Sequence, residues 1–89
     1  MIQVLTRFEV ADFAKWQAVF KVGESMRMAA GSKASHVLQD ADNPKIVSVI
    51  TEWTDLESAK KFSRSAELRQ SQQDAGVHSQ PQAYVLEVI

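Results

Sequence analysis

The segment Lys45 to Trp53 limits what this chain can fold into more than any other. Ile46, Val47, Val49 and Ile50 make it apolar on both of its alternating faces. A strand with two apolar faces is covered on both, which puts it in the interior of a sheet. One face meets helices. The other needs a cover that an 89-residue chain does not supply from itself. A chain of this length buries only about 60–65% of the surface it exposes when unfolded, and we read residues 1–89 as a single domain. There is no cysteine, so disulfides, thiolate nucleophiles and cysteine-based zinc sites are excluded. A second copy of the chain is the simplest cover for the open face.

The remaining segments predict the order βαββαβ. Ile2 to Val10 reads as a strand whose Ile2, Val4, Phe8 and Val10 share one parity, interrupted only by Thr6. Asp12 offers an N-cap to a helix from about Phe13 to Ala29, with Trp16, Val19 and Phe20 on one face and Gly31 near its end. Gly23 lies inside that helix at a cost of about 1 kcal/mol relative to alanine. Lys33 to Asp40 is the second strand, and Asp42-Asn43-Pro44 is a turn leading into the third. Thr54 and Glu57 have capping-box spacing for a short helix carrying Leu56, Ala59 and Phe62. Ser65 caps a second piece over Ala66 to Ala75, ended by Gly76, and Ala83 to Ile89 is the last strand, again apolar on both parities. This order is the ferredoxin-like split βαβ arrangement, an α+β fold with a four-stranded antiparallel sheet and helices on one face. The sheet faces of two chains are expected to pack together as a homodimer, helices outside.

Ten Lys and Arg against eleven Asp and Glu give a net charge of −1, which lacks the electrostatic footprint of a nucleic-acid binder. The third strand also lacks the exposed aromatic rings that an RNA-recognition sheet of the same topology needs. No apolar run approaches the ~20 residues of a membrane span. The first residues, Met1-Ile2-Gln3-Val4-Leu5, do not have the form of a signal peptide, so a cytoplasmic location is expected.

The stretch Val49-Ile50-Thr51-Glu52-Trp53-Thr54-Asp55-Leu56-Glu57-Ser58-Ala59-Lys60-Lys61-Phe62-Ser63-Arg64-Ser65 resembles the antibiotic biosynthesis monooxygenase-like group. In that group a strand ending in Glu-Trp leads into a helix with Ala and Phe and then a Ser. Asp12 through Trp16, Phe20 and Gly31 are similar to its first helix, and Ala75-Gly76-Val77 before Pro81 to the segment preceding its last strand. The resemblance implies a dimeric α+β barrel with a pocket in each protomer between sheet and helices. Its members include cofactor-free quinone-forming oxygenases and haem-degrading enzymes. The haem-degrading branch uses an Asn on the first strand, a Trp on the second helix and a His beyond it. Here those helix positions fall on Phe62 and Gln72, and the first strand has no Asn. Gln72 cannot supply the imidazole that ligates haem iron, so haem degradation is disfavoured and no cofactor is expected.

His36 and His78 are the only side chains that titrate near neutrality without perturbation. Either could take a proton from a phenolic substrate, although the plainer reading of each is a surface or interface histidine. Trp16, Phe20 and Phe62 would line the helix side of a pocket, with Trp53 and Arg27 positioning the substrate. As plain structure, the aromatics are core, and Arg27 complements a helix C-terminus. A buried Trp53 needs a partner for its indole N–H. No metal site is expected. His36 and Asp40 share a strand face but lie about 13 Å apart at ~3.3 Å per residue, and no helix carries two His at i and i+4. No Gly-x-Ser-x-Gly turn or Gly-rich phosphate loop is present. The expected function is a small-molecule enzyme, a cofactor-independent monooxygenase or related enzyme on a hydrophobic phenolic or enolisable compound. The alternative is a non-catalytic ligand-binding or assembly module of the same fold.

Overall fold

In the computed structural model, which describes residues 1–77 and 79–89, the chain runs β1 (Ile2–Glu9), α1 (Phe13–Val22), α2 (Glu24–Ala30), β2 (Ser32–Gln39), β3 (Ile46–Trp53), α3 (Leu56–Ser63), α4 (Ala66–Asp74) and β4 (Gln82–Glu87). The four strands form one antiparallel sheet in the order β2-β3-β1-β4, which is the ferredoxin-like topology. The doubly apolar β3 lies between β2 and β1, as its pattern predicts, whereas β4, also apolar on both parities, is an edge strand and mostly exposed.

Register decides which parity faces the helices. Val4 pairs with Thr51, and Phe8 with Val47; directly opposed residues in an antiparallel pair share a sheet face. Val47, Val49, Thr51 and Trp53 are buried, whereas Ile46, Ser48, Ile50 and Glu52 on the other parity are only partly covered. The helices therefore cover one face and leave Leu5, Ile50, Tyr84 and Leu86 on the other.

The core on the helix side is divided. One cluster gathers Phe8, Val10, Trp16, Val47, Val49 and Ala75; a second gathers Val4, Trp53, Ala59 and Phe62. Fully burying a side chain such as Val10 or Val47 contributes about 1.5–3 kcal/mol.

Two local features differ from the sequence reading. The first long helix is two helices broken at Gly23, and Gly31 ends the second in the left-handed conformation that glycine tolerates, with φ 116°. The cap of α3 is Asp55, not Thr54: its carboxylate accepts the Ser58 backbone N–H at 2.6 Å and the Ser58 hydroxyl at 2.9 Å. Asp12 and Ser65 cap α1 and α4.

The bond from the Ser58 backbone N–H, and then that from its hydroxyl, hold the Asp55 carboxyl below its ordinary pKa. A carboxyl whose pKa is depressed by folding stabilises the protein above its unfolded pKa, and that contribution is lost as pH falls through the folded value. Asp55→Ala should therefore lower the melting temperature at neutral pH. The gap from wild type should shrink below about pH 4. Thermal melts at neutral pH and in strong acid check this, and an undiminished gap in acid refutes it.

Candidate functional site

The two core clusters leave a cavity of about 340 Å³ between helices and sheet, within the usual size of small-molecule pockets. The sheet contributes Val4, Thr6, Phe8, Val49 and Thr51 to its wall; α1 contributes Trp16, Val19 and Phe20, α3 Phe62, and α4 Leu68. Members of both clusters therefore form its sides. The aromatic wall is built by stacking: Trp16 lies over Phe20 with ring centres 5.0 Å apart and planes at 20°, and Phe8 meets Trp16 at 5.5 Å. Such a surface suits a flat, apolar molecule.

The polar groups are few and of one electrostatic kind. Arg27, on the last turn of α2, is only 6% exposed. Its Nη1 donates to the Phe20 carbonyl at 2.9 Å, and its guanidinium carbon sits 3.6 Å from the centre of the Phe20 ring. Its Nε is buried with no hydrogen-bond partner. Burial pulls the Arg27 pKa below the ordinary arginine value, with Glu24 partly offsetting this. Arg69, on α4, adds a second cation to the lining. Among the described residues no Asp, Glu, Lys or His lines the cavity, and the one salt bridge is Arg7–Asp40, outside it. The site therefore favours a negatively charged or electron-rich oxygen.

Thr51 is the other buried polar group here, 5% exposed. Its Oγ1 accepts the Trp53 indole N–H at 2.8 Å. With that lone pair engaged, the Thr51 hydroxyl hydrogen is free to donate elsewhere.

Of the residues expected at a site, Trp16, Phe20, Arg27 and Phe62 line this cavity together. Trp53 does not. It is fully buried behind the wall, tilted against Phe62 with ring centres 5.0 Å apart, and donates its indole N–H to Thr51; Phe62 and Thr51 are the residues that line the cavity. His36 is opposite Ile50 on the edge strand β2, exposed, on the sheet face away from the helices. His78 lies outside the described residues; Gln80 and Pro81 are in the lining.

Thr6, Thr51, Arg69 and Gln72 also line the cavity, and the sequence reading did not place them there. The signal for the two threonines was present. Each is the single polar interruption of an otherwise apolar inward parity, Val4-Thr6-Phe8 and Val49-Thr51-Trp53. No cluster of three or more His, Cys, Asp or Glu among the described residues could hold a metal ion.

The family model described as antibiotic biosynthesis monooxygenase matches residues 1–74. No curated protein sequence matches significantly. The crystal structure of a candidate antibiotic biosynthesis monooxygenase from Bordetella bronchiseptica superimposes with a TM-score of 0.84 at 16% identity, covering 99% of this chain and 96% of that one. SnoaB from Streptomyces nogalater, a cofactor-independent oxygenase solved as a mutant, superimposes with a TM-score of 0.78 at 16% identity, over 98% and 91% of the two chains. A Nitrosomonas europaea protein of unknown function gives 0.76 at 15% identity, over 99% and 88%. At these identities the structural likeness speaks for the fold.

Proposed function

The chain belongs to the antibiotic biosynthesis monooxygenase family, and from that premise we propose that it is a cofactor-independent oxygenase acting on a hydrophobic phenolic or enolisable compound. The observation that carries this reading is the aromatic-walled cavity with Arg27 in its lining and no carboxylate among the described residues around it. Oxygenation without a cofactor needs a substrate that can itself become an electron-rich carbanion or phenolate. The protein then supplies a dry site and stabilises the anion. Substrate carbon gives electrons to dioxygen, one oxygen atom enters as a carbonyl, and the two displaced hydrogens leave with the other oxygen as water. Trp16, Phe20 and Phe62 hold the ring system, and Arg27 holds the oxyanion. His78 is our choice of proton acceptor. His36 is assigned instead to the interface of a homodimer formed through the open sheet face.

Oxygen uptake with a panel of anthrones and dihydroxynaphthalenes tests this. Wild type should consume one dioxygen per product. His78→Ala should slow turnover by about 10²-fold, the lower range for a general base, and His36→Ala should leave it within about twofold. No uptake by wild type across the panel overturns the oxygenase, and unchanged turnover in His78→Ala overturns the base assignment.

The absence of a proton-accepting His, Asp or Glu among the described lining residues favours one second reading, a ligand-binding module without turnover. Tight binding of the same compounds with no oxygen uptake would select it.

A further inference from the structure

We infer that the break between α1 and α2 is an arginine clamp, and that the ligand it selects is a flat aromatic carboxylate. This deepens the reading of the cavity as a ligand site and rests on it.

Three features fix the Arg27 head group. Phe20 contributes two of them, its ring stacked beneath the guanidinium at 3.6 Å and its carbonyl accepting from Nη1 at 2.9 Å. Gly23 contributes the third. It lies where α1 ends and α2 begins, and a Cβ there would sit 3.2 Å from Arg27 Nη1, closer than that atom tolerates without moving. The φ of −78° at Gly23 is open to any residue, so what distinguishes glycine here is the tight space beside Arg27, not the backbone conformation. A side chain at position 23 would require the Arg27 head group to give by a few tenths of an ångström.

So placed, the cation is poorly compensated. It is almost wholly buried, its Nε has no partner, and no carboxylate forms a salt bridge with it among the described residues; Glu24 acts on it only from beyond salt-bridge distance and offsets the burial in part. A buried charge is normally paired. The missing counter-charge is an anionic oxygen of the ligand, and a carboxylate is already ionised at neutral pH, whereas a simple phenol is not. A guanidinium also matches a carboxylate by geometry as well as charge. The ring of such an acid would lie against Trp16, Phe20 and Phe62, which line the same cavity.

Calorimetric titration with 2-naphthoate and its neutral isostere 2-naphthamide tests the inference without any turnover. Wild type should bind the acid at least about tenfold more tightly than the amide, the preference expected of a hydrogen bond to a charged group. Arg27→Gln should bring the ratio near one. Arg27→Lys, which keeps the charge and loses the planar fork, should keep a reduced preference. Gly23→Ala should weaken naphthoate binding severalfold and leave naphthamide unchanged. Circular dichroism checks that each variant is folded, and if Arg27→Gln is not, the wild-type ratio and Gly23→Ala decide. Equal affinities in wild type, or a preference that survives in Arg27→Gln, overturn the clamp while leaving the cavity a ligand site. Binding of neither compound overturns the cavity reading itself.

Discussion

A Leu5→Arg variant is expected to sediment at half the mass of the wild-type protein at micromolar concentration. On the sheet face that no helix covers, cross-strand register arranges the side chains in rows. The central row runs His36, Ile50, Leu5 and Tyr84. On one side of it lie Glu52, Gln3 and Leu86; on the other Leu38, Ser48, Arg7 and Gln82. The polar members of the flanking rows bond to one another: Gln3 Nε2 donates to Glu52 at 3.3 Å, and Arg7 donates to Ser48 at 3.5 Å and to Asp40 at 3.3 Å. Covering this face would therefore strand few of its polar groups, while burying Leu5, Ile50, Tyr84 and Leu86, of which Tyr84 and Leu86 are 51% and 45% exposed in the single chain. In a two-fold dimer an arginine at position 5 brings two like charges into a desolvated centre, at a cost of several kcal/mol. Each 1.4 kcal/mol is a factor of ten in dissociation constant, enough to move a micromolar dimer beyond the range of the experiment. A wild-type protein that sediments as a single chain overturns the dimer, and a Leu5→Arg protein that stays double overturns this face as its interface.

The element order could be read from the sequence because it rests on local physics. Alternating parity marks β1, both-face apolarity marks β3, and Asp12 and Ser65 are capping residues next to helical spacing. Which parity of β3 faces inward could not be read, because Ile46 and Ile50 are as apolar as Val47 and Val49. Only the pairing with Val4 and Phe8 of β1 decides it. That choice also decides the site. It sends Thr51 to the cavity and His36, opposite Ile50, to the open face. The Gly23 break was hidden for a different reason. Helix spacing continues across it, and the tight contact at this position is with a guanidinium four residues on, which no periodicity reports. Trp16, Phe20, Arg27 and Phe62 reach the cavity because all lie on the sheet-facing side of helices whose placement the pattern did predict. Arg69 and Gln72 sit in a polar stretch of α4 that, taken alone, is indistinguishable from a solvated surface.

Trp53→Ala should leave the protein largely unfolded or lower its melting temperature by about 12 °C or more, whereas Trp53→Phe should cost far less. Trp53 has no exposure and packs against Phe62, Val4 and Ala59. Truncating such a side chain removes about 3–5 kcal/mol. At ~0.05–0.15 kcal/mol per residue, 89 residues hold about 4–13 kcal/mol in total. The conversion for domains of this size is about 4–8 °C per kcal/mol. Phenylalanine refills most of the volume and forfeits the indole bond to Thr51, a loss of about 1–2 kcal/mol. It also releases the Thr51 hydroxyl from the partner that fixes its lone pair. Trp53→Phe should therefore weaken ligand binding in the cavity while remaining folded, and Thr51→Val should weaken it to the same degree. Combining the two should add little, since both remove one hydrogen-bond relay. Fully additive losses in the double variant would mean that Trp53 acts on the ligand by a route other than Thr51. A Trp53→Ala protein as stable as wild type would remove Trp53 from the core altogether.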